Sequence, residues 1–183
     1  TREGEMGTGQ TILSIGALMM LSFAVLNLNR SISNVDISIS QNKYRAEALA
    51  LLNAHAEAAK RYYFDETTLD TTSNKELTDF AEPNALGLDM NDLGVIDDFD
   101  DYNNLTIADT GLSGVIYNVQ FEVDYVTFAG NQMVPDNNKQ FHKRMRISIC
   151  DVFTDPLLFR VTASGIVRDT IRIEFVNSYW FYN

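Results

Sequence analysis

The residues best suited to chemistry are four aspartates near the middle of the chain: Asp97, Asp98, Asp100 and Asp101. Carboxylate oxygens are the ligands that Ca²⁺ prefers, so the group is a candidate calcium site. The spacing differs from that of an EF-hand loop, because Tyr102 and Asn103 replace the required pattern and its Gly. A solvated acidic turn is therefore the preferred interpretation. Ion pairing with Arg144, Arg146 or Arg160 of another copy is a further alternative.

The other reactive side chains do not indicate an enzyme. His55 lies in an Ala-rich segment and His142 precedes a basic strand, and neither has an i+4 His, a nearby nucleophile or an orienting third group. Cys150 falls on the polar face of a strand by alternation and is interpreted as a structural free thiol. No Gly-rich phosphate-binding pattern occurs, and no cofactor is predicted.

Two segments fit the N-glycosylation sequon, Asn29-Arg-Ser31 and Asn104-Leu-Thr106. Matches of this kind are expected by chance in a chain rich in Asn, Ser and Thr. Asn104 is the better candidate of the two, because it falls in a predicted loop.

The charge of the chain argues against nucleic acid as a partner. The net charge is −11 and the sequence pI is about 4.5, whereas nucleic-acid-binding domains are basic. The charge is also uneven. Residues 64–112 hold 13 acidic residues and one lysine, whereas residues 139–172 hold seven Lys or Arg and three Asp. Two surfaces of identical copies are therefore expected to attract each other.

The element that dominates the chain is a long predicted helix over residues 11–64. Its first part, residues 11–28, is apolar on all sides, and no charge occurs between Glu5 and Arg30. This length is at the short end of what crosses a bilayer, and a buried core helix is the alternative. The preceding residues 1–10 are polar and not basic, so the apolar segment is expected to be retained rather than removed as a secretory signal.

The second part of this helix is predicted to be amphipathic. Apolar residues recur in steps of three, four or seven, and they include Ala46, Leu49, Leu52, Ala56 and Ala59. Residues 29–43 have poor helix propensity, so a short strand is the alternative there. Helix is preferred because strong helix formers resume after this segment. About fifty helical residues give a rod on the order of 75 Å, which is too long for one small domain to cover.

The remaining residues predict an α+β fold in which the helix covers a sheet. Residues 65–112 are acidic and rich in Asn, Thr and Gly, which indicates a long loop with little regular structure. Residues 113–183 contain four segments that alternate apolar and polar residues, which is typical of an antiparallel four-stranded sheet with one apolar face. The amphipathic part of the helix is expected to pack on that face, so that it and residues 65–183 form one globular head.

This order of elements resembles the type IV pilin family, with its pseudopilin and archaeal flagellin-like relatives. Two short motifs carry the resemblance further. Gly9 followed by Gln10-Thr-Ile-Leu13 is similar to the site that a prepilin peptidase cleaves, and residues 96–105 resemble an acidic segment of many bacterial pilin-like proteins. Cleavage after Gly9 puts Ser14 at the fifth mature position, where bacterial type IV pilins usually carry Glu.

The resemblance implies a structural subunit of an extracellular helical filament. The apolar segment would lie in the inner or cytoplasmic membrane before assembly and in a core of identical helices afterwards. Its partners would be other copies of itself, a prepilin peptidase and pilus assembly machinery. A membrane-anchored pseudopilin and an anchored ligand-binding β-module are the alternatives. The residues expected to form the polymerisation core are Ile12, Leu13, Ile15, Leu18, Met19, Leu21, Phe23, Val25, Leu26 and Leu28.

Overall fold

A computed structural model describes residues 7–69, 73–88 and 94–180. The helix predicted from the sequence is present as α1, Thr8–Ala59, and it continues through Gly16 and through the segment for which a strand was the alternative. The chain forms two compact units, residues 1–43 and 44–183, which divide within α1. The predicted end of the helix at residue 64 is wrong. After Ala59 the backbone changes to i→i−3 hydrogen bonds, and the carbonyl of Tyr63 accepts the N–H of Phe99 at 2.9 Å.

The second unit contains an antiparallel sheet of five strands rather than the expected four. Its order is β1-β2-β4-β7, and β3 pairs with β2. The strands are β1 Thr106–Thr110, β2 Ile116–Ala129, β3 Gln132–Pro135, β4 His142–Asp151 and β7 Ile171–Ser178. The α+β class and the antiparallel pairing agree with the sequence analysis.

Two differences concern which segments enter this sheet. Strand β1 lies in the segment predicted to be loop, where its residues Thr-Ile-Ala-Asp-Thr give little apolar signal. The third of the four alternating segments, residues 157–164, contains a strand, β5, Phe159–Thr162. This strand does not join the five-stranded sheet, because it pairs with β6, Gly165–Arg168, in a separate hairpin. Alternation of apolar and polar residues reports an extended chain with one buried face, and it does not report the pairing partner.

The hydrophobic core lies between residues 44–59 of α1 and the apolar face of the sheet. The buried stripe of the helix is Ala48, Leu52, Ala56 and Ala59. From the sheet and the loop before it, the core includes Phe99, Tyr102, Tyr117, Val119, Phe121, Val123, Met145, Ile147 and Ile149. The small Ala side chains let the helix approach the sheet closely. The buried stripe differs from the predicted one, because Ala46 and Leu49 are exposed.

The corrected stripe predicts opposite outcomes for two leucines on one helix. Leu52→Ala is expected to lower the free energy of unfolding by about 2–5 kcal/mol, because it leaves a cavity at a fully buried site. Leu49→Ala is expected to change it by less than about 0.5 kcal/mol, because Leu49 is exposed. Chemical denaturation of the two variants measures both effects, and equal losses would contradict the stripe.

Candidate functional site

The first candidate site is the apolar surface of α1 in the first unit. The ten side chains expected to form a polymerisation core are exposed by 54% to 76%. Among the described residues, one helix, α1, is long and apolar enough to cross a membrane. The most apolar 18-residue stretch of this helix contains no buried residue. Water is an unfavourable environment for such a surface, at roughly 25 cal/mol for each Å² of apolar area. This surface therefore needs lipid or another protein surface.

Both serines within this apolar segment make their hydrogen bonds inside the helix. The hydroxyl of Ser14 donates to the carbonyl of Gln10 at 2.9 Å, and that of Ser22 donates to Leu18 at 2.8 Å. Such bonds let a serine enter an apolar environment without an unpaired donor. The segment is therefore compatible with lipid or with a bundle of helices.

Exposed apolar residues continue beyond the predicted core segment. Ile32, Val35, Ile37 and Ile39 are all more than half exposed on α1. Their β-branched side chains lower the intrinsic stability of the helix, so packing partners are needed to hold it. The apolar periodicity of the sequence predicted that Ile32, Val35 and Ile39 share one face of the helix, but the predicted polymerisation core ended at Leu28.

The second candidate site is a buried charge cluster, which we call the Lys143 cluster and define as Lys143, Asp65, Asp98, Asp100 and Asp101. The expectation of a solvated acidic turn is wrong, because Asp98, Asp100 and Asp101 are all buried. Asp97 is half-buried. The reason is Lys143, whose ammonium group supplies the positive charge that buried carboxylates require.

The Lys143 ammonium group has three acceptors. Its Nζ lies 2.5 Å from Oδ1 of Asp100, 2.9 Å from Oδ2 of Asp65 and 2.8 Å from the carbonyl of Phe64. The rings of Phe64 and Tyr125 lie 4.5 Å and 5.4 Å from Nζ, within the range of cation–π contact. The Lys143 side chain is 0% exposed.

The backbone fixes the aspartates of the cluster. Oδ1 of Asp98 accepts the N–H groups of Asp100 and Asp101, at 2.9 Å and 3.1 Å. Oδ2 of Asp101 accepts the N–H groups of Asp97 and Asp98. These bonds stabilise the short 3-10 helix Asp100–Tyr102. In this helix the carboxyl group of Asp100 contacts Lys143 of β4.

The carboxyl groups of the cluster differ in their protonation. Burial opposes ionisation of Asp65, but the charge of Lys143 and the N–H of Ala81 outweigh it and hold the pKa of Asp65 below its usual value. Burial, with the nearby charge of Asp100, raises the pKa of Asp98 to about 8. Burial also raises the pKa of Asp100, although Lys143 opposes this. Asp98 is therefore mostly protonated at neutral pH.

Stability is expected to depend on pH through Asp98. Its pKa is about 8 in the folded chain and about 4 in an unfolded one, so folding takes up a proton between these values. The free energy of unfolding should therefore decrease as pH rises from about 4 to 8. Asp98→Asn keeps a neutral group there and should flatten this decrease. Urea denaturation at several pH values tests this, and parallel profiles for the two proteins would contradict it.

Lys143 and Asp65 are the residues that sequence analysis missed. Lys143 lies two residues before Met145 and shares a strand face with it, Ile147 and Ile149, so the period of the strand already placed a lysine on the buried face. A lysine at such a position requires a buried acidic partner, and this was the available signal.

Pairing of the acidic residues with Arg144, Arg146 or Arg160 of another copy stays a prediction. Arg144 pairs with Asp124 and approaches Glu174, and Arg146 pairs with Glu122. Within residues 7–69, 73–88 and 94–180, no three acidic, His or Cys side chains are arranged to hold a metal ion. The cluster oxygens instead accept hydrogen bonds from N–H groups and from Lys143.

The remaining predicted sites occupy separate places. Gly9 lies in the first turn of α1. Asn104 is exposed and has a left-handed backbone with φ of 62°. Glycosylation at Asn104 stays a prediction. His55 contacts Asp109 at 2.9 Å, and His142 contacts Ser178 at 2.8 Å. Cys150 is half-buried, and burial raises the pKa of its thiol, which makes the thiolate less available.

Comparisons with known proteins give no relative from which to infer a role. No protein family model, no curated protein and no solved structure matches the chain.

Proposed function

We propose that this protein is a structural subunit of an extracellular helical filament of the type IV pilus kind. The observation that carries the proposal is the apolar surface of α1, which is exposed from Ile12 to Leu28 on an unbroken helix. The second unit has its own core between helix and sheet. Copies of the same helix are suitable packing partners for the apolar surface, because each copy exposes the same apolar side chains and gains free energy when they are buried.

The assembly step is an exchange of one apolar environment for another. Before assembly the segment lies in the membrane, and in the filament it packs against neighbouring helices. Both environments exclude water, so the free-energy difference between them is much smaller than the tens of kcal/mol for exposing such a helix to water. An assembly motor then suffices to move subunits in either direction. A prepilin peptidase acting at Gly9 belongs to the same proposal.

The exposed β-branched residues of α1 add support. Ile32 and Val35 continue the apolar surface, and Ile37 and Ile39 extend it beyond the roughly 25 residues, counted from Thr11, that suffice to cross a bilayer. A simple membrane anchor does not need them, whereas a filament core gains further contacts from them. This observation favours the filament over the anchored pseudopilin.

Electron microscopy of cell-surface material tests the proposal. Long filaments that contain the full chain are expected. A matched fragment of residues 30–183, which lacks the apolar segment, is expected to be folded, soluble and unable to polymerise. Full-length protein found in membrane fractions alone would contradict the proposal, and filaments formed by the fragment would contradict the role of residues 11–28.

A further inference from the structure

Lys143 and Asp100 place a buried amine and a buried carboxyl group in direct contact. Nζ of Lys143 lies 2.5 Å from Oδ1 of Asp100, and their side chains are 0% and 6% exposed. We propose that these two side chains are joined by an intramolecular amide bond, so that this pair is a self-catalysed modification site. The proposal does not depend on the filament function.

The surroundings favour a neutral amide over an ion pair. Lys143 packs against the rings of Phe64 and Tyr125, which exclude water from the amine. Two buried charges carry a desolvation cost that a neutral amide avoids. The reverse reaction, hydrolysis, needs a water molecule at the same apolar position, so the protein interior shifts the balance towards the bond.

Two carboxyl groups touch the amine, and their hydrogen bonds distinguish them. Asp65 accepts the N–H of Ala81 at 2.9 Å and both the N–H and the hydroxyl of Thr67. The charge of Lys143 and these donors keep Asp65 a carboxylate, which is a poor electrophile and a suitable proton acceptor. Asp100 makes the shorter contact and is the group that amine attack requires.

Asp98 is placed to donate a proton to Asp100. Oδ1 of Asp98 accepts the N–H groups of Asp100 and Asp101, and these bonds hold the Asp98 carboxyl group beside Asp100. Burial keeps the Asp98 carboxyl group protonated at neutral pH, because its pKa is raised to about 8. A protonated Asp100 carboxyl group is a better electrophile than the carboxylate.

The reaction balances without an oxidant or any other reactant. Asp98 protonates Asp100, and Asp65 accepts a proton from the Lys143 ammonium group. The amine lone pair then attacks Cγ of Asp100, which forms the C–N bond. The departing hydroxyl takes the Asp65 proton and leaves as water when its C–O bond breaks, while the nitrogen returns a proton to Asp98. One ammonium and one carboxylate become one amide and one water.

The released water has a path away from the new bond. A cavity of about 140 Å³ is lined by Asp65, Asp98 and Asp100 among other residues, which is room for several water molecules. Lys143 is not among its lining residues, so the amine stays on the apolar side of the carboxyl groups. The bond would join β4 to the 3-10 helix before β1, across 43 sequence positions.

Mass spectrometry of the purified full chain is the direct test. The native protein is expected to be lighter than the uncross-linked chain by the mass of one water molecule. The peptides that contain Asp100 and Lys143 should be recovered as one branched species that persists after denaturation. Recovery of two separate, unmodified peptides would overturn the proposal, and a branch at Asp65 would overturn the choice of acceptor.

A matched pair of variants tests the proton donor. Asp98→Asn retains the acceptor for the two backbone N–H groups but lacks the acidic proton, and it is expected to fold and to lose at least nine-tenths of the cross-linked species. Asp97→Asn changes the adjacent half-buried carboxyl group and should cross-link fully. Circular dichroism checks the fold of both. Full cross-linking of a folded Asp98→Asn chain would overturn the role of Asp98.

Discussion

Replacing Leu21 by Asp is expected to abolish filament formation while residues 44–183 remain folded. Leu21 lies in the middle of the apolar segment, is 61% exposed and belongs to the first unit. A charged side chain at the centre of an apolar helix costs about 3 kcal/mol, which is roughly a hundredfold in an association constant for each copy. Every subunit of a filament carries the same cost. Electron microscopy and sedimentation of cell-surface material measure the loss.

Two further variants control for charge and for side-chain shape. Asn53→Asp introduces the same charge at an exposed position of α1 in the second unit, outside the exposed apolar surface, and is expected to leave filaments in place. Leu21→Met keeps the position apolar and of similar volume, so it should assemble normally. Filaments of normal length from Leu21→Asp would show that this segment is not part of the assembly interface.

Relative to the chain in which Lys143 and Asp100 are not joined by an amide, replacing Lys143 by Met is expected to lower the free energy of unfolding by about 3–5 kcal/mol, because it leaves buried carboxyl groups without their cation. Asp65 and Asp100 lose the ammonium group that each contacts. The loss should be smaller at acidic pH, because protonation then neutralises the carboxyl groups. Chemical denaturation at neutral pH and near pH 4.5 measures both effects.

Lys60→Met is the matched control for this substitution. Lys60 follows the end of α1, where it pairs with Glu57 and lies 5.1 Å from the ring of Phe175. Its side chain is exposed, so these contacts contribute little because water screens them. Little change in stability is therefore expected at either pH. Equal stability losses for Lys60→Met and Lys143→Met would show that the Lys143 cluster does not stabilise the second unit.

Several features of the fold followed from the sequence because they depend on local periodicity. The alternation of Val119, Phe121 and Val123 with Gln120 and Glu122 predicted β2, and these apolar side chains are buried. The long helix followed from a Pro-free segment with strong helix formers near Leu52. Such patterns report secondary structure and the buried face, because both depend on residues that are neighbours along the chain.

Other features were wrong or missing because they depend on residues that are distant in sequence. Strands β5 and β6 pair with each other outside the five-stranded sheet, and the strand that pairs with β4 is β7. Asp98, Asp100 and Asp101 were predicted to be solvated, since acidic residues are rarely buried unless they are paired. Their burial depends on Lys143, which lies 43 positions after Asp100.

The sequence by itself therefore determined the α+β class, the unbroken apolar segment of residues 11–28 and the alternation that places Lys143 on a buried face. Only the tertiary structure decided the pairing of strands, the stripe of α1 that packs on the sheet and the acidic residues that meet Lys143. The physical reason is that hydrophobic periodicity is written in adjacent residues, whereas a buried charge takes its partners from whichever chain segments the packed core brings within hydrogen-bonding distance.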